Sequence, residues 1–201
     1  MNTPAHLVLN LTLLGRREPR RAAPPVLLGA LLPDLPMFLF YAVERLGLGR
    51  SEAAIWGERY FNAGWQAFFD VFNSLPFILV LGALGLAVRS RFVALMAASM
   101  LLHIAFDLPL HHDDGHHHLF PFSSWRFESP LSYWDPAHYG NLLAPAEGLL
   151  VLVCCTLLWN RYPGRTSRVW LGATAAVYAS VLILAWVRYA GGLGAHALPS
   201  G

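Results

Sequence analysis

The chain reads as an all-α polytopic membrane bundle, with about five transmembrane helices after a short N-terminal half-helix. Three observations predict this class. Hydrophobic residues make up 56% of the 201 residues and Asp, Glu, Lys and Arg only 13%, about half the charge that a soluble domain displays. Five apolar stretches approach the roughly 20 residues needed to cross about 30 Å of hydrocarbon. Arg residues gather in the short connections between those stretches, the pattern that orients membrane helices.

The elements follow in order. Ala5 to Gly15 is apolar but too short to cross alone, so it packs as a half-helix among the others. The five spans are Val26 to Val43, which contains Asp34; Val71 to Val88, which follows Asp70; Phe92 to Leu110, with His103 and Asp107; Leu142 to Trp159, with Glu147; and the uncharged Val169 to Val187. One integral-membrane domain over residues 1–190 is predicted, with a His-rich outer loop at 111–141 and a flexible Gly-rich tail at 191–201. The N-terminus lacks the charged region and cleavage site of a signal peptide and is expected to be retained.

Counting Arg in the loops gives the orientation. Arg16, Arg17, Arg20, Arg21, Arg89, Arg91, Arg161, Arg165 and Arg168 fall on one side, against Arg45, Arg50, Arg59 and Arg126 on the other. The first side is therefore the expected cytoplasmic face of a bacterial inner membrane, and the His-rich loop is expected in the periplasm. All 14 basic residues are Arg and the net charge is only +2, too small a field for a nucleic-acid partner. Cys154 and Cys155 are adjacent within an apolar run and read as packing residues, not as a disulfide framework.

Ionisable groups inside the spans carry the functional signal. A charge at the bilayer centre costs about 2.5 to 3.5 kcal/mol on insertion scales, so such groups face a cavity or one another. His6, Asp34, Asp70, His103, Asp107 and Glu147 all fall at mid-depth or in the outer half under this orientation. His103 and Asp107 are four residues apart, hence on one helical face, and His111 extends the row if the helix survives Pro109. The stretch His111-His112-Asp113-Asp114-Gly115-His116-His117-His118 adds five His and two Asp around one Gly. Imidazole with carboxylate suits zinc, iron, manganese or nickel, and no thiolate set competes.

Plainer readings stand beside these. His103 and Asp107 also make sense as a hydrogen-bonded pair that neutralises itself in lipid, and the histidine run as a solvated loop. Asp34 also suits the cap of a helix that restarts after Leu32-Pro33, and Glu147, after Pro145, a helix start where negative charge is favoured. Trp56, Tyr60 and Trp65 suit an interfacial aromatic belt. Asp135 suits a turn in which it bonds nearby backbone N–H groups.

The order of these motifs resembles a known group over roughly residues 1–123. His6 with Asn10, then Gly29 and Leu32-Pro33-Asp34, then His103-x-x-x-Asp107, then Phe120-Pro121-Phe122-Ser123 resembles the membrane-bound metal-dependent hydrolases, also described as LexA-binding, inner-membrane-associated hydrolases. The chain departs at Asn73-Ser74, where that group carries a His-Ser pair. The resemblance then implies that Asp70 substitutes or that the site shifts toward the histidine loop.

The expected function is a metal-dependent hydrolase acting on a lipid-linked or periplasmic ester or phosphoester. His6, Asp34, His103 and Asp107 are the expected ligands of a divalent metal, zinc by preference, with His111 and His118 enlarging the site. Asp113 or Asp114 is the expected general base. Expected partners are membrane lipid and a small-molecule or lipid-linked substrate. The other reading is a non-enzymatic metal-binding or metal-handling membrane protein.

Overall fold

A computed structural model describes residues 1–196, with side chains through Val187, entirely as helices, turns and loops. The helices are α1 (Thr3–Leu14), α2 (Pro19–Leu31), α3 (Leu35–Tyr41), α4 (Glu52–Ala54), α5 (Ala63–Phe72), α6 (Leu75–Ala87), α7 (Arg91–Asp107), α8 (Gly140–Arg161) and α9 (Arg165–His196). No strand occurs among the described residues. Four helical segments are long and apolar enough to cross a membrane: Ala63–Ala87, Arg91–Leu110, Gly140–Arg161 and Arg165–Val187. Pro19–Leu31 and Leu35–Gly47, bent by 50°, add a fifth if counted as one broken span. The protein is thus an all-α membrane protein with several spans.

Contacts within the chain gather in two compact units, residues 1–132 and 133–201, where the sequence predicts one domain over 1–190. The first unit contains α1 to α7 and the histidine loop. Its broken span has a local cause: Pro33 and Pro36 each lack an N–H, so the helical ladder loses two donors within four residues. The gap between α5 and α6 is set by Ser74, whose side chain accepts from Phe77 N–H at 3.3 Å to cap α6.

α2 and α6 both pack against α7. A Cβ added to Gly29 would fall 2.2 Å from the Met96 carbonyl oxygen, so the α2–α7 crossing exists only because position 29 has no side chain. Polar groups reinforce the same crossing. Asn10 Nδ2 on α1 donates to Ser99 O and Oγ, both at 2.9 Å, and Ser99 Oγ donates to Val26 O on α2 at 2.7 Å. Interhelical bonds of this kind are worth about 0.6 to 2 kcal/mol in lipid. Two apolar clusters flank them: Ile78, Ala97, Met100 and Ile104 between α6 and α7, and Phe40, Ile55, Tyr60 and Phe69 around α3 and α5.

The second unit contains the hairpin of α8 and α9. α8 begins at Gly140 and carries Pro145 in its interior, so Glu147 lies two turns inside the helix and the helix-start reading of it fails. Glu147 is buried and accepts a hydrogen bond from Tyr178 Oη at 3.0 Å. Asp135 makes the expected turn, accepting from Ala137 N–H at 2.8 Å. α9 runs to His196, into the stretch expected as a flexible tail; residues 197–201 of that tail lie outside the described residues.

Candidate metal centre

Three separate segments bring His6, Asp34, His103 and Asp107 together. The His6 and His103 rings stack with centroids 3.6 Å apart and planes at 11°. His6 Nε2 lies 2.9 Å from Asp107 Oδ1, and His103 Nε2 lies 3.1 Å from Asp107 Oδ2 and 3.4 Å from Asp34 Oδ1. The ligand atoms of His6, His103 and Asp107 all lie within 4.8 Å of one another. Ligands bound to one zinc ion at about 2.0 to 2.2 Å stand about 3 to 4 Å apart, so small movements convert this arrangement into a coordination shell.

Proton positions make the case sharper. His103 Nδ1 lies 2.8 Å from the Ala30 carbonyl oxygen, which only accepts, so Nδ1 carries a hydrogen and donates. Nε2 then faces two carboxylate oxygens. A bare lone pair there is repelled, so the position calls for a second proton or for a cation shared with Asp34 and Asp107. A backbone acceptor behind a metal-binding imidazole is the usual way its tautomer is fixed. His6 lacks that support, because its Nδ1 is buried with no partner among the described residues.

Asp34 precedes α3 yet makes no capping bond, so the cap reading fails. Its Oδ2 accepts from Thr3 Oγ1 at 2.6 Å, one turn before His6 on the same face of α1. Asp107 also pairs with the Met1 amine at 2.5 Å.

The histidine loop folds inward; among His111 to His118 only Asp113 is exposed, so the solvated-loop reading fails. The α-helix ends at Asp107 and a 3₁₀ turn, Leu108–Leu110, carries the chain through Pro109. His111 still returns to the centre: its Nε2 is 3.7 Å from Asp107 Oδ1 and its Nδ1 is 2.9 Å from Asp114 Oδ2. Burial disfavours a charge on His111, but bonding to Asp107 and Asp114 outweighs it and raises its pKa to about 9. Burial also works against an ionised Asp114, yet the bond from His111 lowers its pKa overall.

The remaining residues sort plainly. Asp113 joins no hydrogen bond or ion pair of this cluster, and Asp114 meets it through His111. His118 is turned to a structural partner, with Nδ1 3.0 Å from Asn73 O. Asp70 is buried and bonds His117 twice, accepting from its backbone N–H at 2.9 Å and lying 2.7 Å from its Nδ1. Asn73, at the point of departure from the His-Ser pattern, donates from Nδ2 to Pro33 O at 3.2 Å and Phe69 O at 3.1 Å. Its amide therefore braces the Asp34 segment.

Sequence reasoning missed two contributors to the centre and its loop, and one separate buried network. Thr3 was legible only as a polar neighbour of His6 at i−3. Tyr60, assigned to an aromatic belt, is buried and donates to Asp114 O at 2.9 Å. Trp65 donates to the buried Glu44, which also meets Arg50 and Arg59. Comparison with protein-family descriptions, with curated proteins and with solved structures finds no match to this chain.

Proposed function

We propose that the protein is an inner-membrane metal-dependent hydrolase whose centre is formed by His6, His103 and Asp107, with Asp34 as a further carboxylate and His111 at its edge. The observation that carries this reading is His103: its Nδ1–H is committed to Ala30 while its Nε2 faces two carboxylates. The donor set of imidazole nitrogens and carboxylate oxygens fits a divalent ion of the zinc type. Such an ion, when bound, polarises an ester or phosphoester oxygen and allows water to lose a proton near neutral pH.

The chain's own groups supply the rest. Asp114 Oδ2 stands 2.9 Å from His111 Nδ1 and favours the protonated ring, whose Nε2 lies 3.7 Å from Asp107 and is placed to give a proton at the edge of the centre; Asp114 thus acts through His111, and Asp113 has no comparable path. Beyond the centre the buried polar groups along α1 and α7 include Asn10, Ser99 and Thr12, all neutral and bonded to backbone or to each other. That favours a site opening to one side over an ion-conducting path, and hence the hydrolase over the metal-handling reading. On the orientation expected from the Arg distribution the site faces the periplasm, where a lipid-linked or periplasmic ester is the substrate class.

Metal analysis of the detergent-purified protein tests the centre. Close to one equivalent of zinc or a similar ion is expected, and His103→Ala should lose it. Equal metal in both proteins would remove the centre and the hydrolase reading with it. An Asp113→Cys protein should react with a membrane-impermeant thiol reagent in intact cells; labelling only after lysis would reverse the orientation.

A further inference from the structure

The α8–α9 hairpin holds a groove of about 470 Å³, lined by Leu152, Cys155, Thr156 and Trp159 of α8 and by Leu171 and Gly172 of α9. That volume lies within the range of about 300 to 1,000 Å³ common for small-molecule sites. Leu152 to Trp159 covers seven helical rises, so the groove runs about 10 Å inward from the end of the hairpin that carries the connecting turn. Gly172 lines the groove with backbone alone, and a Cβ there would meet the Trp159 ring at 3.8 Å, an ordinary contact.

The turn end of the groove is cationic. Arg165 and Arg168 are exposed, and neither side chain joins an ion pair among the described residues. The Arg168 guanidinium lies 5.5 Å from the centre of the Trp159 ring, which holds it at the groove mouth. From residue 148 to residue 201 the sequence contains no Asp or Glu. An apolar channel thus meets two uncompensated cations at a helix end, the depth at which lipid phosphates lie.

We propose that this groove binds one anionic phospholipid of the surrounding bilayer, its phosphate at Arg165 and Arg168 and one acyl chain along Trp159, Thr156 and Leu152. Guanidinium groups match phosphate oxygens in charge and in bidentate geometry. Basic pockets between transmembrane helices are a recurrent way of selecting anionic headgroups. A neutral lipid fills the groove but leaves both cations unpaired. A helix from a second copy fills it as well, with no use for the two Arg.

Native mass spectrometry of the full chain in detergent, with equimolar phosphatidylglycerol and phosphatidylcholine added, tests the site. One phosphatidylglycerol should be retained with a roughly tenfold preference. Arg165→Gln with Arg168→Gln should abolish the preference, whereas Arg165→Lys with Arg168→Lys should keep most of it and serves as the folding control. Gly172→Leu should lower retention of both lipids. Equal retention of the two lipids by the wild type, or an unchanged preference in the Gln pair, would overturn the site. So would a dimer that Gly172→Leu converts to monomer, since the occupant would then be a second copy.

Discussion

Glu44 and Asp107 are both enclosed acids of the first unit, and their partners differ in kind. Glu44 is 1% exposed and meets Arg50 Nε at 2.9 Å, Arg59 Nη2 at 3.1 Å and Trp65 Nε1 at 2.9 Å. Its partners are permanent cations and a donor, and none of them is able to ligate a metal. Asp107 meets the Met1 amine at 2.5 Å and, around it, His6, His103 and His111, whose nitrogens either donate or coordinate. A carboxylate closed off by guanidinium is finished as a structure, whereas one shared by three imidazoles and a single terminal amine keeps partners that can coordinate a cation. Enclosure alone, with Glu44 1% and Asp107 13% exposed, would not separate them.

The largest effect should come from breaking the open side of this comparison. Asp107→Asn removes the oxygen charge that His6, His103 and His111 share, and metal affinity should fall by about 100-fold or more, the upper end of what even an outer-shell partner costs. Equilibrium dialysis against a metal indicator measures it. Asp114→Asn touches the centre only through His111 and should cost about tenfold. A loss as large as that of Asp107→Asn would make Asp114 a direct ligand instead.

Arg59→Met opens the closed side. The protein should melt several degrees lower with metal content unchanged, because an enclosed carboxylate loses a partner remote from the imidazoles. Lost metal would show that the two networks are coupled.

pH separates the loop histidines in metal-free protein. Burial lowers the His116 pKa from 6.5 to about 4, so an unfolded loop takes up a proton that the folded loop refuses. That stability is full above about pH 6.5 and is lost as pH falls toward 4. His111 is raised to about 9, so its contribution is present below pH 6.5 and is lost as pH rises through 9. Thermal unfolding across pH 4 to 10 should therefore decline at both ends, and His111→Gln should flatten the alkaline limb most, with a smaller change in the acid limb because the His111 charge also bears on His116 and Asp114. The smallest effect is expected from Glu147→Gln, which should leave metal content unchanged because Glu147 bonds Tyr178 in the other unit.

Much of the fold was legible because hydropathy and proline act locally. The spans, the break at Leu32-Pro33-Asp34 and the His103/Asp107 face follow from period and composition within a few residues. What escaped depends on segments distant in sequence. Asp70 with His117, Thr3 with Asp34 and Tyr60 with Asp114 join positions 31 to 54 residues apart, and no local pattern encodes them. Glu147 was misread for a local reason: Pro145 looked like a helix start, yet lipid-embedded helices tolerate an interior Pro.

Gly29 offers a last consequence. Residue 29 carries no side chain, and its immediate neighbour Ala30 supplies the oxygen that accepts the hydrogen bond from His103 Nδ1–H. The spacing of two helix backbones therefore decides which face of an imidazole is offered to the carboxylates. A methyl group at position 29 would wedge α2 from α7, draw the Ala30 oxygen out of reach and free the His103 ring to turn. A residue that itself binds nothing would then behave in every assay as a defect of the centre.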